Sequence, residues 1–235
     1  MSIHSFRNIG FSFTASEETC RKWRTLFTGF YPEDAVRALQ LSAEDPYVYI
    51  SYFEHLYRLR TTDGVLEKKG SEGPERVKTI AVSDANEEAP SDWTDQLYMN
   101  EALVLYHVLG DIKENPIRSG VMIPEAELDP VRIRSSNRTD PLLKSFAKTY
   151  SGQLELLNKS CESCGAKRLS KGDAGWEFYP FPQIPVQLIF WEADEDFEAS
   201  VQVLVDKNTT DYMHFEAIGC MVADLFELID RKAKI

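Results

Sequence analysis

Residues 181–206 read FPQIPVQLIFWEADEDFEASVQVLVD. VQLIFW (Val186–Trp191) puts apolar residues on both faces of an extended chain, as a strand covered on each side requires. After it, Phe197, Ala199, Val201, Val203 and Val205 take every second position, with Glu198, Ser200 and Gln202 between them. A period of two marks a strand with one buried face. Residues 192–196 then bridge two strands as the turn of a hairpin. Glu192, Asp194, Glu195, Asp196 and Glu198 put five carboxylates into seven positions there. Like charges about 4 Å apart in high dielectric cost on the order of 1 kcal/mol, so hydration alone makes the cluster tolerable. The functional alternative is that Asp194, Asp196 and Glu198 offer oxygens to a hard cation such as Mg²⁺ or Ca²⁺. The calcium-loop pattern fails at its sixth place, where Ala199 stands instead of glycine. Zinc would want nitrogen or sulfur ligands, which this stretch lacks.

The same hairpin logic extends outward. YVYISYF (Tyr47–Phe53) is aromatic and β-branched and reads as a strand. HLYRLRT and VLEKK flank Thr62-Asp63-Gly64, and Asp-Gly tolerates the positive φ of a tight turn. AKRL and WEFY flank Gly172-Asp173-Ala174-Gly175, a further hairpin, and IRSGVMI reads as a short strand. Helices are predicted between these pieces. TASEETCRKWRTLF (Thr14–Phe27) opens with capping-box spacing at Thr14 and Glu17. Tyr31-Pro32-Glu33-Asp34 starts a second helix, giving a helical pair within residues 1–45. Asp92–Asp111 carries the strongest pattern, with Tyr98, Ala102, Leu105 and Leu109 in one stripe and Gly110 as a stop. Asp140–Tyr150, QLELLNKS and the amphipathic His214–Lys232 complete the set. Residues 68–92 form a polar connection interrupted by VKTIAV. Strands paired through short turns, mixed with helices that do not alternate with them one by one, predict an α+β fold. Its sheet is mainly antiparallel and packed with several helices, including a C-terminal one, in a single domain over residues 1–235.

The 235 residues carry 26 basic against 38 acidic side chains, a net charge of −12. That sign excludes nucleic-acid backbones and anionic membrane surfaces as partners of the whole chain. Arg132, Arg134 and Arg138 in VRIRSSNR are the nearest thing to a basic site, and read more simply as a solvated strand. No apolar run is long enough for a signal peptide or a membrane span, so the expectation is a soluble cytoplasmic protein whose Cys20, Cys161, Cys164 and Cys220 stay thiols.

Cys161-Glu162-Ser163-Cys164 has the spacing of half a thiolate metal site, but a second C-x-x-C is missing and a loop with two incidental thiols is the plainer reading. His107 and Asp111 lie one helical turn apart, a spacing that lets the carboxylate orient the imidazole, but a helix-packed histidine with a satisfied ring is the plainer reading. No H-E-x-x-H, G-x-S-x-G, Walker loop or G-x-G-x-x-G is present. These patterns assign no catalytic residue and require no cofactor.

FPQIP (Phe181–Pro185), Trp191-Glu192-Ala193-Asp194-Glu195-Asp196-Phe197 and Leu204-Val205-Asp206 resemble the C-terminal signature of the bacterial and archaeal family called domain of unknown function 3786. MNEALVLYHVLG resembles that family's leucine-rich helix, and the similarity runs from Tyr47 to the C-terminal helix. Ala193 stands where the family has glycine, and the C-E-S-C pair is outside its pattern. The resemblance implies a fold typical of anaerobic microbes and raises the weight on Glu192, Asp194 and Asp206. Glu192 and Asp206, near the sheet, are expected to have structural partners.

Two functions from different classes follow as expectations. One is a non-catalytic binding or accessory protein linked to a metal or tetrapyrrole cofactor system. The other is a small-molecule enzyme using the acidic 192–198 turn, alone or with His107, for metal-assisted or acid–base chemistry. A homodimer or protein partner, joined through a sheet edge, is a third possibility.

Overall fold

The computed structural model describes residues 17–70, 92–95, 97–128 and 140–234. The fold is α+β, with six α-helices and two five-stranded antiparallel sheets among the described residues. The chain divides into two compact units, Met1–Pro116 with Asp211–Cys220, and Ile117–Thr210 with Met221–Ile235.

In the first unit, α1 (Glu17–Phe27) and α2 (Glu33–Leu39) precede β1 (Ser42–Glu44), β2 (Tyr47–Tyr52), β3 (His55–Arg60), β4 (Val65–Lys69) and β5 (Trp93–Thr94), paired in that order. Register sets Val48, Leu59 and Leu66 side by side, and Ile50 beside Tyr57. The helix α3 (Met99–Asp111) is buried at every position from Glu101 to Leu109 and bonds to β4 and its turn through Glu101 and Tyr106. Its start lies two turns beyond the predicted Asp92. Trp93 and Thr94 extend the sheet by pairing with Lys69 and Lys68. Glu101 then marks the new beginning: one carboxylate oxygen accepts from the Tyr98 N–H (3.2 Å), the other from Lys68 Nζ (2.8 Å). A local helix pattern thus yields to strand pairing and a cap formed by an ion pair.

The Thr62-Asp63-Gly64 turn joins β3 to β4 and is also where α1 docks. Gly64 has φ +72°, and a Cβ added there would lie 2.2 Å from the Arg24 carbonyl oxygen. Tyr106 Oη donates to the Gly64 carbonyl (2.8 Å), and the Gly29 N–H donates to Thr61 (2.8 Å). Trp23, Phe27 and Tyr106 close the core above the turn, with ring centroids 5.0–5.6 Å apart.

The second unit contains β6 (Met122–Pro124), α4 (Pro141–Tyr150), α5 (Leu154–Ser163), β7 (Lys167–Leu169), β8 (Ala174–Phe181), β9 (Ile184–Trp191) and β10 (Ser200–Asp206). The sheet order is β6-β10-β9-β8-β7, so the VQLIFW strand is central. Val186, Leu188 and Phe190 face Val205, Val203 and Val201 across the pair. A final helix, α6 (Phe215–Ala233), is divided between the units at Cys220. Within the second unit its Phe226 stacks on Phe146 of α4 (centroids 4.0 Å apart), and its Asp230 accepts from Tyr150 Oη (2.8 Å).

Phe197 departs from the alternation read in the sequence. β10 begins at Ser200, and Phe197 is 73% exposed. The cause is Asp194, whose Oδ1 accepts from the Asp196 and Phe197 N–H groups (2.9 and 2.8 Å). An aspartate that bonds the backbone two residues on makes a turn, and the strand starts after it. Residues 1–16, most of the 68–92 connection with VKTIAV, and VRIRSSNR with Arg132, Arg134 and Arg138 lie outside the described residues.

Replacing Gly64 with Ala is expected to cost about 3 kcal/mol or more, because a strained left-handed backbone and a backbone clash act together. A denaturant titration measures it. A loss below about 1 kcal/mol would show that α1 does not close on this turn.

Candidate functional site

Four sets of side chains were singled out by sequence or are brought together by the fold. In the acidic turn, Asp194 is occupied by the backbone, while Glu195, Asp196 and Glu198 are exposed. Glu192 accepts from the Gly152 N–H (3.0 Å), the Ala193 N–H (2.9 Å) and Ser151 Oγ (3.2 Å). The Gly152 and Ala193 N–H groups, opposed weakly by burial and aided by Ser151, hold the Glu192 carboxyl below its ordinary value. Ala193 needs no left-handed backbone: among the described residues, the non-glycine positions with positive φ are Gln40 and Phe53.

Asp206, at the end of β10, is almost fully buried. Its oxygens accept from the Ser119 N–H (3.0 Å), Ser119 Oγ (2.9 Å), the Gly120 N–H (2.7 Å) and the Asn208 N–H (2.9 Å). Burial alone would raise this carboxyl, but the Asn208, Ser119 and Gly120 donors outweigh it and hold it low. Four donors converging on one carboxylate make it a structural anion.

Cys161 and Cys164 stand at the C-terminal end of α5, where the helix presents carbonyls rather than N–H groups. Burial, and then the neighbouring Cys164, push the Cys161 thiol above its ordinary value. A thiolate ligand or redox nucleophile needs the opposite displacement. Among the described residues, no three His, Cys, Asp or Glu side chains are arranged to hold a metal ion. Glu125, in the short turn after β6, is pushed up to about 7, first by burial and then by the charge of Asp140.

The first unit holds the richest group. His107, fully buried in α3, bonds through Nδ1 to Asp111 one turn later. That carboxylate is itself 7% exposed, so the imidazole is oriented by a partner that water barely reaches. Trp23 meets the His107 ring edge-on (5.8 Å, 76°) and His214 stacks on it (5.5 Å, 24°). His214 is the residue before α6. The Glu216 N–H points at its Nδ1 from 3.5 Å, and Glu216 Oε2 lies 3.8 Å from the same nitrogen. The N–H suits a bare Nδ1 and the carboxylate a protonated one. Burial raises the Glu216 carboxyl above its ordinary value, against the lowering effect of His107. His214 and Glu216 are 23% and 30% exposed. The cluster therefore runs from a buried, oriented imidazole to an imidazole and a carboxyl that solvent reaches.

His107 and Asp111 were legible as a pair because i and i+4 share a helical face. His214 and Glu216 were missed as their companions. The one signal for them was their place at the start of an amphipathic helix, where polar groups serve exposed N–H groups.

His107→Ala removes a fully buried ring and is expected to cost about 3 kcal/mol in urea titration, while His214→Ala costs about 1 kcal/mol or less. Equal losses would mean that His214 is as much a core residue as His107. For Asp206 and Glu192, a depressed folded value means that their contribution is complete above their ordinary values, 3.8 and 4.5, and fades as acid passes the depressed ones. Asp206→Asn should lower stability by about 2 kcal/mol at neutral pH and flatten the acid limb of melting temperature against pH. An acid limb unchanged by the substitution would remove Asp206 as its source.

The family described as Domain of unknown function (DUF3786) matches residues 76–227. The match includes α3, His107 and His214, the Cys161–Cys164 pair, the acidic turn and Asp206, and it begins after β4 rather than at Tyr47. No curated protein and no solved structure matches the chain. With well over half of its length covered, the chain belongs to the DUF3786 family.

Proposed function

We propose that the chain is a non-catalytic binding or accessory protein, acting in the cytoplasm of an anaerobic microbe on behalf of a metal or tetrapyrrole cofactor system. The ligand-facing groups are His214 and Glu216. The observation that carries this reading is the imidazole stack: a solvent-reached His214 rests on a buried His107 that Asp111 orients. Imidazole is the commonest protein ligand for metals, and its useful nitrogen is set by what the other nitrogen contacts. In His214 the Glu216 carboxylate lies 3.8 Å from Nδ1, and a proton kept on that nitrogen leaves Nε2 bare for coordination. One such ring suffices where a macrocycle fills the metal's other positions.

A second reading, an acid–base enzyme acting on a small molecule, is favoured by the raised Glu216 carboxyl beside the His214 imidazole. The form of that reading built on the 192–198 turn has less support, because Asp194 and Glu192 are engaged by backbone donors.

The test uses protein purified without oxygen, with metal analysis, an absorption spectrum, and titration with iron protoporphyrin as probe. Expected are a saturable change in the probe spectrum and a loss of affinity of about tenfold or more in His214→Ala. A featureless spectrum with no bound metal and no copurifying partner, or probe binding indifferent to His214→Ala, would overturn the proposal.

A further inference from the structure

Phe197 is a phenylalanine with inward parity that the fold holds outward. The clamp has three bonds: Asp194 Oδ1 accepts from the Asp196 and Phe197 N–H groups, and the Asp194 N–H donates to the Phe197 carbonyl (3.0 Å). The base of the turn is fastened as well. Glu192 accepts from Ser151 and Gly152 between α4 and α5, and its own N–H donates to Asp173 (2.8 Å). The 73% exposed ring is therefore displayed on a braced loop rather than left on a loose one. On the same hairpin Trp191, the last residue of β9, is 40% exposed opposite Ser200. Glu195, Asp196 and Glu198 surround Phe197 in sequence and are exposed.

A braced aromatic anchor within a charged rim is the anatomy of a protein–protein hot spot. Bracing matters because it removes ordering cost at the moment of association. We propose that the β9–β10 tip is a docking surface for a folded protein that offers an apolar socket rimmed by lysine or arginine, with Phe197 as the anchor. Charge selects this occupant. The rim is anionic and the chain as a whole carries −12, so a second copy brings charge of the same sign. Nucleic acid and anionic lipid are repelled for the same reason. The proposal stands apart from the imidazole stack, since no residue is shared.

The experiment uses the full chain with Phe197→p-benzoylphenylalanine, irradiated in an extract of the organism that encodes it. The cross-linked protein is identified, purified and titrated against the unmodified chain by calorimetry. Support requires that this partner be basic and that binding weaken about tenfold or more in both Phe197→Ser and the double variant Glu195→Lys with Glu198→Lys. Binding must also weaken as salt rises. Phe197→Ser must keep the melting temperature of the parent chain, since its ring lies in water. The proposal is overturned by the absence of an adduct, by an adduct with an acidic protein, or by partner binding indifferent to the substitutions. It is equally overturned by an adduct between two copies with a dimer in sedimentation, or by a drop in melting temperature in Phe197→Ser.

Discussion

The Asp206 carboxylate is the constraint on which the second unit turns. A nearly buried anion is tolerable where donors replace its lost water, and here two backbone N–H groups and a hydroxyl from Ser119–Gly120 join the N–H of Asn208. Those donors come from the segment that leads into edge strand β6, so one side chain fixes how that segment meets the end of β10. Because β10 pairs with central β9, the anchoring passes to the hairpin and its acidic turn. Glu192 does a similar job at the other end of the hairpin, tying the strand exit to the link between α4 and α5. Two carboxylates in an acidic chain thus act as acceptors for backbone donors, with no cation needed to make them stable.

How much of this was legible depended on whether the decisive contact was local. The VQLIFW strand and the alternation from Val201 to Val205 follow from side-chain period alone, and the structure pairs them residue for residue. Asp63-Gly64 announced its hairpin, and Gly64 proved also to be the place where α1 meets the sheet. Phe197 shows the limit. Its parity was right for a strand, but the Asp194 side chain takes the backbone into a turn, and parity says nothing about where a strand begins. The start of α3 failed for a different reason: Trp93 and Thr94 find strand partners in β4, and tertiary pairing overrides helical pattern.

The imidazole stack was the least legible feature because its members come from separate elements. His107 and Asp111 share a helix, whereas His214 reaches them through the path of the chain into α6. Sequence spacing carries no information about such a meeting. What could have been read is chemical economy: a histidine and a glutamate around a helix start are placed near unsatisfied N–H groups, and such positions gather polar function.

The acidic turn and the imidazole stack divide the chain's chemistry in a consistent way. In the turn, Asp194 and Glu192 are held by the backbone and Glu195, Asp196 and Glu198 are exposed. In the stack the opposite holds. Burial raises Glu216, Asp111 is nearly dry, and the rings stand between them. Groups that can exchange a proton or hold a metal gain that ability from being removed from water next to a partner, and loop carboxylates surrounded by water do not. For that reason the proposed ligand chemistry is assigned to His214 and Glu216 at the edge of the stack. The turn, braced and charged, offers shape and sign, which are the properties its proposed docking role uses.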